Sequence, residues 1–90
     1  MYTSVIAVHA TDDHTLILTF KNNERRIFDI SPYLNIGRFR ELQDLRAFKQ
    51  VSVSFDTVEW ENELDIDPEF LYARSKAIDD GSAISVSPLD

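Results

Sequence analysis

15-TLILTFKNNERRIFDI-30 is the stretch that decides the fold. Leu16, Leu18 and Phe20 alternate with Ile17 and Thr19, so both faces of the first half carry apolar groups, as a strand in the interior of a sheet requires. Asn22 and Asn23 offer a two-residue hairpin turn, because asparagine tolerates a positive φ better than other residues that carry a side chain. Lys21 and Glu24 are placed to close that turn as an opposite-charge pair, and 25-RRIFDI-30 returns antiparallel.

Working outward, 4-SVIAVHA-10 reads as a preceding strand with Ile6 and Val8 on one face, joined through the polar turn 11-TDDH-14. Ser31 and Pro32 follow the hairpin as N-cap and first helical residue, and Gly37 ends that short helical turn. In 38-RFRELQDLRAFKQV-51, Phe39, Leu42, Leu45 and Phe48 stand three apart, which predicts one helix or two short helical turns on the sheet. The alternation of 51-VSVSF-55 puts Val51, Val53 and Phe55 on one face. The segment 58-VEWENELDI-66 is the last main strand, with room for an interruption near Asn62. Asp67 and Pro68 then repeat the cap-and-proline device, and the helix they open is expected to reach Asp79 and stop at Gly81. The expected fold is therefore α+β: a small antiparallel sheet of about five strands packed with two to three short helices, in the order β-β-β-α-β-β-α. Residues 1–81 form a single domain and 82–90 a short tail or an added edge strand. Trp60, Phe28, Phe48, Phe55 and Tyr72 are the expected aromatic part of its core.

Ninety residues at 43% hydrophobic leave room for one core and no second domain. The absence of cysteine excludes thiol catalysis, disulfides and cysteine-ligated zinc or iron–sulfur centres. No apolar run reaches membrane-spanning length and no basic-then-apolar leader opens the chain, so a cytoplasmic protein without membrane contact is expected. Charge is unevenly placed. Residues 1–55 hold seven Lys or Arg against six Asp or Glu, whereas residues 56–90 hold two against ten. Such an acidic half repels phosphate backbones and anionic lipid.

Within that half, every odd position from Glu59 to Glu69 is acidic. On a strand, Glu59, Glu61, Glu63 and Asp65 project to one side while Val58, Trp60, Leu64 and Ile66 project to the other. Asp67 serves as a helix cap and Glu69 faces the helix dipole. A calcium loop starting at Asp65 would need glycine and glutamate where Phe70 and Lys76 stand. Glu59, Glu61, Glu63 and Asp65 read first as the solvated face of that strand; against that stands the binding of a cationic partner surface or an adventitious divalent ion, and they are the candidate partner-binding residues, with no metal site assigned. The one basic concentration, Arg25, Arg26, Arg38, Arg40, Arg46 and Lys49 with Phe39 among them, offers the alternative of nucleic-acid binding through Arg38, Arg40, Arg46 and Lys49. His9, His14, Asp12 and Asp13 lack metal-ligand spacing, and neither an activated serine nor a phosphate-cradling glycine loop occurs. No catalytic, cofactor-binding or metal-binding residue is assigned; an enzyme built from dispersed groups such as His9, Asp29 and Asp65 is the third reading.

The order 16-LILTFKNNERRIFDISPYL-34, 39-FRELQD-44, Phe48, Val51, Trp60 and 64-LDIDPEFLY-72 resembles the small bacterial domain of unknown function 2442, over roughly residues 5 to 73. Asn23 stands where that family usually has glycine in the hairpin. The resemblance implies a compact α+β domain with an antiparallel sheet, and it carries over no catalytic residue. Some relatives append a helix-turn-helix domain, which is not expected within these 90 residues. Stand-alone members are similar to one half of small two-gene modules. The expected function is a non-enzymatic protein–protein interaction module whose partner is another small protein or a second copy of the chain.

Overall fold

The computed structural model describes residues 4–78. Strands β1 (Val5–Ala10), β2 (Thr15–Phe20), β3 (Arg25–Asp29) and β6 (Lys76–Ala77) form one antiparallel sheet in the order β1-β2-β3-β6, and β4 (Val51–Ser54) pairs with β5 (Thr57–Trp60) in a second. The fold is α+β, as the sequence predicts, with the expected β2–β3 hairpin at its centre. β1 is tied to the second hairpin through the Val5 N–H, which donates to the Asp56 carbonyl at 2.9 Å.

Between β3 and β4 the chain forms 3₁₀ segments at Ser31–Tyr33 and Gly37–Gln43, then the one-turn helix α1 (Leu45–Phe48). The three-residue spacing of Phe39, Leu42 and Leu45 matches the three residues per turn of a 3₁₀ helix better than the 3.6 of an α-helix. Ser31 is not a cap: its own N–H donates to Asp29 Oδ1 at 2.9 Å, so the aspartate makes the turn. Gly37, at φ 50°, opens the second 3₁₀ segment instead of closing the first. Asp44 caps α1 by accepting from the Arg46 N–H.

Val5, Leu16, Leu18, Phe20, Phe28 and Ile30 project from the inner face of the large sheet. Leu42, Phe48, Val58, Trp60, Ile66 and Leu71 cover them. The Trp60 indole N–H donates to the Phe48 carbonyl at 2.8 Å, so the largest core residue is buried without an unsatisfied donor.

Several expectations are corrected. A β-bulge between Val5 and Ala7 sets Ile6 aside, 53% exposed, and puts Val5 and Val8 on the inner face instead. The β2–β3 connection is four residues long, Lys21 to Glu24, with Asn23 alone at a positive φ of 70°, and Glu24 faces Arg26 and Tyr72 rather than Lys21. Phe55 is 98% exposed, outside the core. The strand expected over 58–66 ends at Trp60 and turns back through Glu61–Glu63 to a single bridge between Glu59 and Asp65. Helix α2 (Pro68–Arg74) stops at Ser75, where the chain becomes the edge strand β6. Its expected end near Asp79, the Gly81 cap and the 82–90 tail lie outside the described residues.

Candidate functional site

The acidic stretch is held by two consecutive reversals. Ser54 and Thr57 close the β4–β5 hairpin around Phe55 and Asp56. The second reversal is fixed by the Trp60 N–H to Leu64 carbonyl bond at 2.8 Å, the Glu63 N–H to Trp60 carbonyl bond at 2.9 Å and the Leu64 N–H to Asn62 Oδ1 bond at 3.0 Å. The four candidate acids therefore do not form one strand face. Glu59 and Asp65 become cross-strand neighbours, while Glu61 and Glu63 ride the turn beyond them, both exposed. Asp67 and Glu69 behave as expected, Asp67 Oδ1 accepting from the Glu69 N–H at 2.9 Å.

The four described non-glycine residues with positive φ are His14 (61°), Asn23 (70°), Phe55 (55°) and Glu63 (69°), each in a chain reversal. Two are compensated. The His14 Nε2–H donates to the Leu42 carbonyl at 3.0 Å and its ring lies 4.9 Å from that of Phe48, while Asn23 is of the type that tolerates this conformation. Phe55 and Glu63 have no such relief: the first is fully exposed, and the Glu63 side chain makes no hydrogen bond or ion pair among the described residues. Each conformation costs roughly 1–2 kcal/mol relative to an ordinary backbone. Glu59 opposite Asp65 adds a like-charge pair, which destabilises a sheet. Glu63 lies in the turn that follows β5, at the end of that strand opposite to Phe55, whereas Phe55 and the Glu59–Asp65 pair line one common groove.

Two concavities meet in this region. A groove of about 450 Å³ is lined by Ser54, Phe55, Asp56, Thr57, Glu59, Asp65 and Pro68. A second, of about 330 Å³, is lined by Phe28, Tyr33, Phe39, Asp65, Ile66, Asp67 and Phe70. Asp65 borders both.

The basic residues are dispersed and internally engaged. Arg38 donates to the Asn62 carbonyl and, at 3.5 Å, to Glu41; Arg40 Nε donates to the Gly37 carbonyl at 3.2 Å; Arg46 lies 3.9 Å from Asp44; and Lys49 pairs with Asp12. Hydrogen bonding from Asn62 and then from Arg38 holds the Glu41 carboxyl below its ordinary range, and Lys49 does the same for Asp12. Such exposed pairs contribute little stability, yet they leave the segment far less cationic than its sequence reads. Arg26 is removed from any basic surface: it donates to Ser75 Oγ at 2.6 Å and to the Ser75 carbonyl at 2.7 Å, pairs with Glu24 and stacks 4.2 Å from the Tyr72 ring. This clamp fastens β6 to β3. Its members lie 49 positions apart, and nothing local in the sequence announces it.

The dispersed catalytic set is not assembled. His9 and Asp29 belong to the outer face of the large sheet, opposite to Val8, Ala10 and Phe28, whereas Asp65 borders the Phe28 cavity. Asp12, beside Lys49, and His14, bonded to Leu42, do not converge, and among the described residues no three His, Asp or Glu side chains are grouped to hold a metal ion. No helix among the described residues is long and apolar enough to cross a membrane.

The family described as "Protein of unknown function (DUF2442)" matches residues 5–77. No curated protein and no solved structure matches the chain.

Proposed function

Since the chain belongs to the DUF2442 family, we propose that it acts as a protein–protein interaction module, without chemistry of its own, through the groove that Phe55, Glu59 and Asp65 line, extended along β5 to Glu61 and Glu63 in the turn at its far end. The observation that carries this reading is the coincidence of a fully exposed phenylalanine in a left-handed backbone conformation with carboxylates that repel one another. The backbone conformation and the like-charge pair each lower the stability of the isolated chain; a partner that buries the ring offsets the first, and one that supplies positive charge relieves the second. Aromatic anchors surrounded by charge are a common form of contact surface. The partner that fits is a basic surface on another small protein; a second copy of this acidic chain fits less well. Nucleic-acid binding through Arg38, Arg40, Arg46 and Lys49 has less support, because three of these four cations already face acids.

The test is purification of the tagged chain from its native host, with mass spectrometry of co-purifying proteins, alongside the Phe55→Ala and Glu61→Lys/Glu63→Lys variants. One stoichiometric companion that is lost from both variants, with the variants still folded, is the expected result. Recovery of the wild-type chain alone, or of salt-releasable nucleic acid in place of a protein, refutes it.

A further inference from the structure

The second concavity has a chemistry that the acidic groove alone does not. Its floor is Phe28, 1% exposed, with Ile66, 7% exposed. Its walls are the half-buried rings of Tyr33, Phe39 and Phe70, and its rim carries Asp65 and Asp67. The rings are fixed against one another. Phe28 and Tyr33 stack at 5.9 Å with 6° between planes, and Tyr33 meets Phe70 edge-to-face at 5.6 Å.

An aromatic-walled cavity with no carboxylate would take any apolar group, and a carboxylate pair on an open surface would hold only a solvated counterion. Combined, they select a ligand with an apolar stem and a cationic end. The stem displaces water from the rings, the charge is attracted by the π faces, and Asp65 and Asp67 neutralise it at the mouth. The molecule already contains one such contact: the Arg74 guanidinium, which does not line the cavity, lies 5.2 Å from the centre of the Phe70 ring. Among the described residues, none with a basic side chain lines the cavity.

We propose that this cavity receives a lysine or arginine side chain presented by the partner protein. The proposal deepens the interaction reading and rests on it. Asp65 borders both concavities, so a bound segment that covers Phe55 has its next basic residue within reach of the aromatic one.

The test is an amide chemical-shift titration of the full ¹⁵N-labelled chain with the probe acetyl-Gly-Lys-Gly-amide, with its arginine and norleucine counterparts as comparators. The lysine or arginine peptide is expected to shift the amides of Phe39, Ile66 and Phe70 saturably, with the norleucine peptide roughly tenfold weaker. Phe39→Leu keeps the apolar volume and removes one π face, so it should weaken the lysine peptide several-fold and leave norleucine unchanged. Asp65→Asn with Asp67→Ser retains the helix cap through serine and should abolish the preference for charge. Equal binding of the lysine and norleucine peptides, or no shift at these amides with either cation, overturns the proposal. A chain that captures a protein from its host but ignores both cationic peptides likewise refutes the cavity assignment while leaving the interaction reading intact. Peptide binding by a chain that captures nothing upholds the cavity and removes that reading.

Discussion

The β2–β3 and β4–β5 hairpins turn by a similar device and are finished in opposite ways. Each places one residue in the left-handed region, Asn23 at φ 70° and Phe55 at φ 55°. Asparagine suits that position, and the strand before it ends in Phe20, which is completely buried. At the other tip the aromatic residue itself occupies the strained position and faces outward. Folding alone accounts for the first hairpin. It does not account for the second, where glycine or asparagine would make a better turn and a polar residue a better surface.

The largest expected effect breaks the two aromatics apart. Phe20→Ala empties a site at the centre of the core and should lower unfolding stability by about 3–5 kcal/mol, enough to unfold much of a domain this small. Phe55→Ala removes a ring that touches little and should change stability by less than about 0.5 kcal/mol. Urea unfolding followed by Trp60 fluorescence measures both. A Phe55→Ala loss comparable to that of Phe20→Ala would make the tip a structural element and remove the main support for the interaction surface.

A smaller effect sharpens the same contrast by exchanging the residues. Asn23→Phe should destabilise by roughly 1 kcal/mol, and Phe55→Asn should stabilise by roughly 0.5–1 kcal/mol, a melting-point rise of a few degrees. Phe55→Asn should at the same time weaken capture of the partner. A substitution that improves the fold while impairing binding is the signature of a residue kept for contact. If both exchanges leave the melting point unchanged, the left-handed conformation at Phe55 carries no strain.

The contrast also marks what the sequence discloses. The period-two alternation of Leu16, Leu18 and Phe20, the turn asparagines and the Asp67–Pro68 cap are local signals, and each leads to the element it predicts. What escapes is decided by non-local competition. The bulge at Ile6 is silent because Val5, Ile6 and Val8 are all apolar, so an extra residue does not disturb the pattern. Helix α2 yields to β6 because Arg26, remote in sequence, holds Ser75 by its hydroxyl and carbonyl. The alternation of 51-VSVSF-55 continues one residue too far, since the turn begins at Phe55 and reverses its direction. Exposure of Glu59, Glu61, Glu63 and Asp65 follows from alternation or from a turn alike, so the candidate acids are legible although their arrangement is not. The aromatic cavity draws Phe28, Tyr33, Phe39 and Phe70 from four separate segments, and no spacing rule brings them together.

The smallest effect concerns the residue that follows Asn23. The Tyr72 hydroxyl and then the Arg26 guanidinium bond to Glu24 and hold its carboxyl below the ordinary value of 4.5, with partial burial opposing them. A carboxyl whose folded pKa lies below its unfolded one contributes stability above about pH 4.5, and that contribution is lost as pH falls through the folded value. Glu24→Gln should therefore melt below the wild type at pH 7, and the gap should close progressively in acid. Because the Asp12 and Glu41 carboxyls are lowered as well, the wild type alone loses stability at low pH, and only the difference between the two proteins isolates Glu24. A gap for Glu24→Gln that stays constant from pH 7 to about pH 3 would mean that its bonds to Tyr72 and Arg26 are not maintained in solution, and the first hairpin would then be no better anchored than the second.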